Sequence, residues 1–479
     1  MTSPTPRACF VAGAAEQGVD QILVRHPFDG SEVAAVAVPG PEQIERAVAA
    51  AAEVYPRLRS SPAHVRAEAL LHVSQRLAEQ TEEIAETIVA ENGKPLKWAR
   101  LEVGRAASTF RFAAEEARRL YGQTQRLDTD PSAEGRIAIA RRVARGPVLG
   151  ISPFNFPLNL VAHKVAPALA VGAPVIVKPA PRTPLSALLL GELLAETGLP
   201  AGAFSVLPVG NEATMSLVRD ERLPVVSFTG SVPVGWQIAE AAARKHVVLE
   251  LGGNAAAVVC ADYVDLDWAA TRIATFANYQ AGQSCIAVQR VIVERPVADA
   301  FVPRLVDAVR GLHLGDPYDE KTDVGPLVDA DAAERVMAWV DEAVEAGARV
   351  VVGGERNGTS VTPVVLTDVP AGAKVWREEV FGPVLCLEVV DSLDEALTAV
   401  NDSAFGLQAG IFTHDLQVAF KAAATLDVGG LIVGDVPSYR ADQMPYGGVK
   451  ASGAGREGLR SAMHDLTEDR VIVLTGLTL

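Results

Sequence analysis

Cysteine is scarce in this sequence. Four residues, Cys9, Cys260, Cys285 and Cys386, are scattered over 479 positions with no CxxC pair. That spacing excludes a disulfide framework or a cysteine-based zinc site as the organising feature. The eight histidines are equally dispersed and show no HExxH or comparable spacing, so no metal is expected. Positive charge is in deficit: 43 Lys and Arg face 59 Asp and Glu, for a formal net charge of −16. A nucleic-acid or anionic-membrane surface needs the opposite balance. Long apolar runs are missing too. The longest, residues 158–177, is broken by His163, Lys164 and two prolines, which rules it out as a membrane span. The apolar stretch 8–15 is short and has Arg7 alone as a cationic start, a poor secretory signal. The expectation is a cytoplasmic protein with no nucleic-acid and no membrane partner.

What is present is an ordinary globular composition, 49% hydrophobic and 21% charged, in a chain long enough for two or three domains. Residues 1–40 read as an irregular arm with short strands. Residues 41–121 read as helical, with Pro41 suited to a first turn and Asn92-Gly93 before Pro95 as a stop. Residues 123–142 end in an alternating run that reads as a protruding ribbon. From residue 143 short β-branched runs alternate with helices: strands at 148–151, 175–177, 225–228 and 247–249, and helices at 159–170, 186–198 and 232–243. This is the pattern of parallel βαβ units in a doubly wound sheet, which binds ligands at the carboxyl ends of its strands. A second α/β series runs over 256–434. The tail ends in Arg470-Val471-Ile472-Val473-Leu474, a strand with no hairpin partner nearby, for which the 123–142 ribbon is a candidate partner, within the chain or across a subunit interface.

Several strand ends carry chemistry. Cys285, in Gly282-Gln283-Ser284-Cys285, follows a turn and opens an alternating run, 286–293, that reads as a strand. A thiol at such a junction suits a nucleophile, since the thiolate attacks carbonyl carbon. A buried cysteine acting as a small hydrophobe is the plainer alternative. Glu250 ends an apolar strand directly before Leu251-Gly252-Gly253. Burying it is costly without a purpose, either as a general base or as an ion-pair partner. Lys178 ends another strand, and Asn155 sits in the turn Ser152-Pro153-Phe154-Asn155-Phe156-Pro157, where turn stabilisation is an equal reading.

These stretches, with Lys178-Pro179-Ala180, Thr229-Gly230-Ser231, Glu378-Glu379-Val380-Phe381-Gly382-Pro383 and Pro445-Tyr446-Gly447-Gly448-Val449-Lys450, closely resemble the motifs of the NAD(P)-dependent aldehyde dehydrogenase superfamily. The resemblance runs from Glu91-Asn92-Gly93-Lys94-Pro95 to Ser452-Gly453. It implies an α/β fold of two doubly wound domains, a cofactor-binding one over 1–122 and 143–255 and a catalytic one over 256–434. An oligomerisation ribbon and C-terminal strand would occupy 123–142 and 435–479, giving a homodimer or homotetramer. It implies Cys285 as nucleophile, Glu250 as general base for thioester hydrolysis, Asn155 in the oxyanion hole and Lys178 at the cofactor ribose. The implied cofactor site comprises Ile151, Ser152, Pro153, Phe154, Lys178, Ala180, Pro181, Phe228, Gly230, Ser231, Val234, Leu251, Gly252, Glu379 and Phe381.

Two departures bear on the cofactor. Many NAD-preferring relatives carry a glutamate three residues after the strand-end lysine, where this chain has Pro181 followed by Arg182. The charge that would repel NADP is therefore absent, and NAD with NADP as an alternative is the expectation. Phe154 stands where many relatives have tryptophan. On the substrate side, Gln-Ala-Gly-Gln-Ser-Cys and the stretch 435–445 resemble the branch containing lactaldehyde and phosphonoacetaldehyde dehydrogenases, which implies a small aldehyde. Ser284 and Phe156 replace an arginine and a histidine of relatives that hold anionic substrates, leaving Arg105 and Arg440 as anion partners or ion-pair residues. The rival readings are a CoA-acylating semialdehyde dehydrogenase, which Glu250 opposes, a cysteine hydrolase and a non-catalytic homologue.

Overall fold

The computed structural model describes residues 5–476. Its first sheet has eight strands, in spatial order Ala14–Glu16, Cys9–Val11, Phe204–Val206, Val175–Lys178, Val148–Ile151, Val225–Thr229, His246–Glu250 and Gly453–Ala454. The five central strands from Phe204–Val206 to His246–Glu250 are parallel. The three from Val175 to Thr229 are buried along their whole length. A parallel sheet covered on both faces reads as continuous apolar runs, which is why these strands were legible. Their register aligns the carboxyl ends: Ile151 pairs with Lys178 and Thr229 with Glu250. One rim therefore gathers residues that lie far apart in sequence.

The second sheet has seven strands, ordered Arg349–Val352, Val364–Thr367, Val384–Val390, Arg290–Glu294, Ala256–Val259, Gln408–Phe412 and Gly430–Val433. All neighbours are parallel except the first pair. The overall class is mixed α/β with two parallel-type sheets, as the alternation implied. Among the described residues no helix is long and apolar enough to cross a membrane.

The helical layer, Pro41–Ser60, Ala63–Glu79, Thr81–Asn92 and Leu96–Ala117, braces the first sheet through two buried glutamates. Glu91 accepts from the amides of Leu185 (2.6 Å) and Ser186 (2.9 Å), at the start of helix Leu185–Ala195. Glu102 accepts from Leu158 (2.9 Å) and Asn159 (3.0 Å), at the start of helix Asn159–Val171, and pairs with the buried Lys94. Each carboxylate thus satisfies amides that have no partner within their helix. Asn92, next to Glu91, donates to the Phe154 carbonyl at 2.8 Å, so this layer also fixes the turn carrying Asn155.

Several expectations are corrected. The strand expected at 286–293 begins only at Arg290. Ile286 and Val288 are buried, so the alternation recorded burial of an irregular segment. The helix expected at 186–198 ends at Ala195. Strand Phe204–Val206 and helix Asn211–Arg219 had no counterpart in the sequence reading. One expectation holds: the tail strand Thr467–Thr475 pairs antiparallel with the ribbon strand Arg136–Ala144 over nine residue pairs within the same chain, and Gln123–Arg126 completes that small sheet. The segment 435–479 does more than form a ribbon: Gly453–Ala454 joins the edge strand ending in Glu250.

Candidate active site

A cavity of about 730 Å³ lies along the carboxyl rim of the first sheet. The rim supplies Ile151, Ser152, Pro153, Phe154, Asn155, Lys178, Ala180, Pro181, Phe228, Gly230, Ser231, Val234, Glu250, Leu251 and Gly252, and the second unit closes it with Cys285, Glu379 and Phe381. Every residue of the implied catalytic and cofactor sites therefore faces one space, while Arg105 and Arg440 are not among its lining residues. Thr229, of the Thr229-Gly230-Ser231 stretch, lines it too, and Leu160, Asn211, Thr214, Met215, Gln237, Ile238 and Arg335 line it as well and were not anticipated. Asn211, Thr214 and Met215 sit on the helix that follows the unrecognised three-residue strand.

Cys285 leaves a kinked turn. Gln280 and Ala281 hold φ values of 54° and 55°, sparsely populated for residues with a Cβ. At Gly282, φ is +71° and an added Cβ would lie 2.1 Å from the Gly382 carbonyl oxygen, so only glycine fits. The turn is held from both sides. Asn155 Nδ2 donates to the Gln283 carbonyl at 2.9 Å, and Gln283 Oε1 accepts from the Val328 amide at 2.9 Å. The sulfur lies 3.1 Å from the Tyr446 hydroxyl. Burial pushes the Cys285 thiol up to about 11, against the Tyr446 hydrogen bond, which pulls it down.

Glu250 is 3% exposed, and neither carboxyl oxygen has a hydrogen-bond partner among the described residues. The ion-pair alternative for this residue is therefore not realised. Burial, and then the charge of Glu457, hold its pKa well above the ordinary carboxyl range. Glu457 goes the other way. Burial opposes its ionisation, but Lys164 and Arg440 outweigh it and hold the carboxyl at about 2. Lys164 Nζ is 3.6 Å from Glu457 and donates to Ser227 (3.0 Å) and Thr229 (2.8 Å) on strand Val225–Thr229. Two neighbouring carboxyl groups thus have opposed pKa shifts, Glu250 on the cavity wall and Glu457 outside its lining.

Lys178, also on the cavity wall, is 6% exposed, its side chain has no hydrogen-bond or ion-pair partner among the described residues, and burial lowers its pKa to about 8. Glu379 accepts from the Gly253 amide at 3.0 Å, and burial raises it to about 7. Gly252 has no room for a side chain, since an added Cβ would lie 2.3 Å from Glu379 Oε2. The loop carrying Glu379 and Phe381 is tied down by Gln289, which donates to the Glu378 carbonyl (2.7 Å) and accepts from the Val380 amide (3.0 Å). Phe154 and Phe381 meet edge to face at 5.8 Å.

Arg105 and Arg440, left open as anion partners, both have carboxylates beside them. Arg105 is 2.8 Å from Asp442, which also takes His163 at 2.9 Å, and Arg440 is 2.9 Å from Glu457. Arg182, beside Pro181, pairs with Asp329 at 2.5 Å.

The aldehyde dehydrogenase family model matches residues 14–472. A 3-sulfolactaldehyde dehydrogenase of Priestia megaterium is 43% identical over 466 residues, 97% of each chain. The crystal structure of aldehyde dehydrogenase 21 from Physcomitrella patens, in complex with the reaction product succinate, superposes with a TM-score of 0.97 at 43% identity, covering 99% of each chain. An NADP-dependent glyceraldehyde-3-phosphate dehydrogenase from Bacillus halodurans, complexed with NADP, gives 0.95 at 34% identity over 98% of this chain and 99% of that one. The chain belongs to the aldehyde dehydrogenase family, as its motifs implied.

Proposed function

We propose that this protein oxidises a small aldehyde to its carboxylic acid with NAD or NADP, through a covalent adduct on Cys285. The observation that carries this is the convergence, on the wall of a single cavity, of a thiol, an unpartnered carboxyl group and a side-chain amide.

Other residues lining the cavity fit a dinucleotide. Lys178 is a buried donor lacking an acceptor, which ribose hydroxyls would supply. Glu379 is an acceptor pressed against a glycine, and Phe154 and Phe381 are apolar walls for a planar ring. Gly230 and Ser231 lead into the ten-residue helix Val232–Ala241, whose first amides suit a pyrophosphate. Bound nicotinamide supplies the two-electron hydride acceptor that no side chain here can offer.

The chain's own residues do the rest. The Cys285 thiolate forms a C–S bond to the aldehyde carbon while the carbonyl electron pair moves onto oxygen. Asn155 gives one amide hydrogen to the Gln283 carbonyl, which leaves the second free for that oxyanion, and the Cys285 amide is a second donor. After oxidation the acyl group remains on Cys285 as a thioester. Glu250 takes a proton from water, the resulting hydroxide adds to the acyl carbon, and the C–S bond breaks to release acid and thiolate. Such a base beside the thioester opposes the CoA-acylating reading.

The test is to mix the protein with NAD or NADP and a panel of neutral and anionic small aldehydes, with and without coenzyme A, following reduced cofactor and free acid. Reduction with release of acid, independent of coenzyme A, is expected. No reduction, or reduction only with coenzyme A, would overturn the reading. Because both nearby arginines already face carboxylates, neutral aldehydes are expected to compete well with anionic ones.

Cofactor choice gives a second expectation. Pro181 presents no negative charge, so kcat/KM for NAD should exceed that for NADP by less than about a thousandfold, roughly 4 kcal/mol. Pro181→Glu should lower NADP use selectively. An NADP rate unaffected by the added carboxylate would place the 2′-phosphate elsewhere. Arg182, engaged by Asp329, is expected to add little to NADP affinity.

The ribbon supports self-association as a dimer or a dimer of dimers. Val471, Ile472, Val473 and Leu474 are 57%, 46%, 49% and 40% exposed, so consecutive apolar side chains on both faces of an edge strand meet water. Such edges are normally covered. Sedimentation at micromolar concentration should show a multiple of the 50.4 kDa chain mass, and Ile472→Glu should lower it. A wild-type monomer would contradict this.

A further inference from the structure

Tyr446 has no role in the sequence reading beyond its place in a motif. Its hydroxyl oxygen lies 3.1 Å from Cys285 Sγ. The ring is 3% exposed and packs with Ile286 and Leu407, so the hydroxyl cannot turn to solvent. On the ring face sits the Arg440 guanidinium, 3.8 Å from the centroid, and Glu457 holds that guanidinium at 2.9 Å. The backbone locks the stack, because the Tyr446 and Glu457 amides each donate to the other's carbonyl, at 3.0 and 2.6 Å. Glu457, Arg440, Tyr446 and Cys285 therefore form a continuous series ending on the reacting sulfur.

We propose that Tyr446 is a catalytic residue whose hydroxyl donates a hydrogen bond to the Cys285 thiolate, and that Arg440, fixed by Glu457, is the positioning residue that sets and polarises it. The inference rests on the reading of Cys285 as nucleophile.

The direction of the bond follows from the two acids. Burial, and then the charge of Cys285, hold the phenol well above its ordinary range, so Tyr446 stays protonated. Once Cys285 loses its proton to base in the medium, the bond can run only from O–H to sulfur. A hydrogen bond to an ionised group is roughly twice as strong as a neutral one. It is needed here because the surroundings disfavour the thiolate. Glu250 from the end of its strand and Glu379 from its loop both raise the thiol, while Arg440, behind the ring, lowers it. Tyr279, whose hydroxyl donates to Ser284 at 2.9 Å, makes no hydrogen bond to the sulfur. The arginine also draws electron density from the phenol, which makes its O–H a better donor.

Tyr446→Phe keeps the ring, and with it the surface on which Arg440 stacks, and removes only the hydroxyl. The experiment is the rate of Cys285 alkylation by iodoacetamide at about pH 7 to 9, with the labelled peptide identified by mass. A lost charge-assisted hydrogen bond should raise the thiol by about one to two pH units and slow alkylation about three- to tenfold at each pH, the smaller thiolate fraction being partly offset by its greater nucleophilicity. kcat/KM should fall by a similar factor, with cofactor affinity unchanged. A ring-fluorinated tyrosine of lower phenol pKa at position 446 should shift the rate the other way. Alkylation by the phenylalanine variant at the wild-type rate, or faster, would overturn the proposal. Alkylation of the wild-type protein that maps to Cys285 but leaves turnover intact would instead overturn the nucleophile assignment, so the two failures are distinguishable.

Discussion

Cys285→Ala is expected to abolish aldehyde oxidation, with a loss of about a millionfold, the scale on which removing a covalent nucleophile acts. Cofactor affinity should remain within about twofold, because Lys178, Glu379 and the other residues that fit the dinucleotide are untouched. Acidity does not single out this cysteine. Burial raises Cys9 to about 11 and Cys386 to about 12, in the same direction as Cys285. Access does, since Cys9, Cys260 and Cys386 are buried and Cys285 faces the cavity. Alanine at each of those three positions should cost only ordinary core-packing energy, on the order of 1 kcal/mol, and leave kcat unchanged. Turnover by Cys285→Ala within a thousandfold of wild type, or labelling of another cysteine that tracks inactivation, would remove Cys285 from the mechanism.

The parts of this molecule legible in sequence are those whose physics is local. Val175-Ile176-Val177 and Val225-Val226-Ser227-Phe228 announce buried parallel strands because each must satisfy two apolar faces. Lys178 and Glu250 stand out because a charged residue ending such a run needs a reason to be there. The turn before Cys285 misled for a physical reason as well: Ile286 and Val288 alternate because they are buried, while the ladder starts only at Arg290. Three residues, Phe204–Val206, give too short a pattern to detect, and the cavity-lining helix after them was lost with them.

The base of the site was illegible for another reason. Arg440, Tyr446 and Glu457 come within reach of Cys285 and Glu250 because Gly453–Ala454 adds antiparallel to the edge of the first sheet. No local pattern encodes a pairing across some two hundred residues. Lys164 was visible only as an interruption of an apolar run, yet that interruption is where Glu457 finds its charge partner.

Glu250→Gln should separate hydrolysis from the steps before it. The glutamine is isosteric and cannot accept the proton of an attacking water, so the acyl group should stay on Cys285. One equivalent of reduced cofactor should appear in a burst, followed by turnover slowed about a hundred- to ten-thousandfold, the range of general-base loss. Intact mass should show the acylated enzyme. The pH dependence carries a sign. Burial and Glu457 raise the Glu250 pKa, so its carboxylate fraction, and with it the wild-type deacylation rate, should climb with pH as that pKa is approached, and the variant should lose this limb. Neighbouring Glu457 is held ionised by Lys164 and Arg440, which keeps negative charge beside Glu250 and makes it a stronger base once its proton has gone. A variant with neither burst nor adduct would mean that Glu250 acts earlier, by deprotonating Cys285, and normal turnover would exclude it from the chemistry. A burst that survives while the slow phase tracks pH as in wild type would move the general-base role to another group on the same rim.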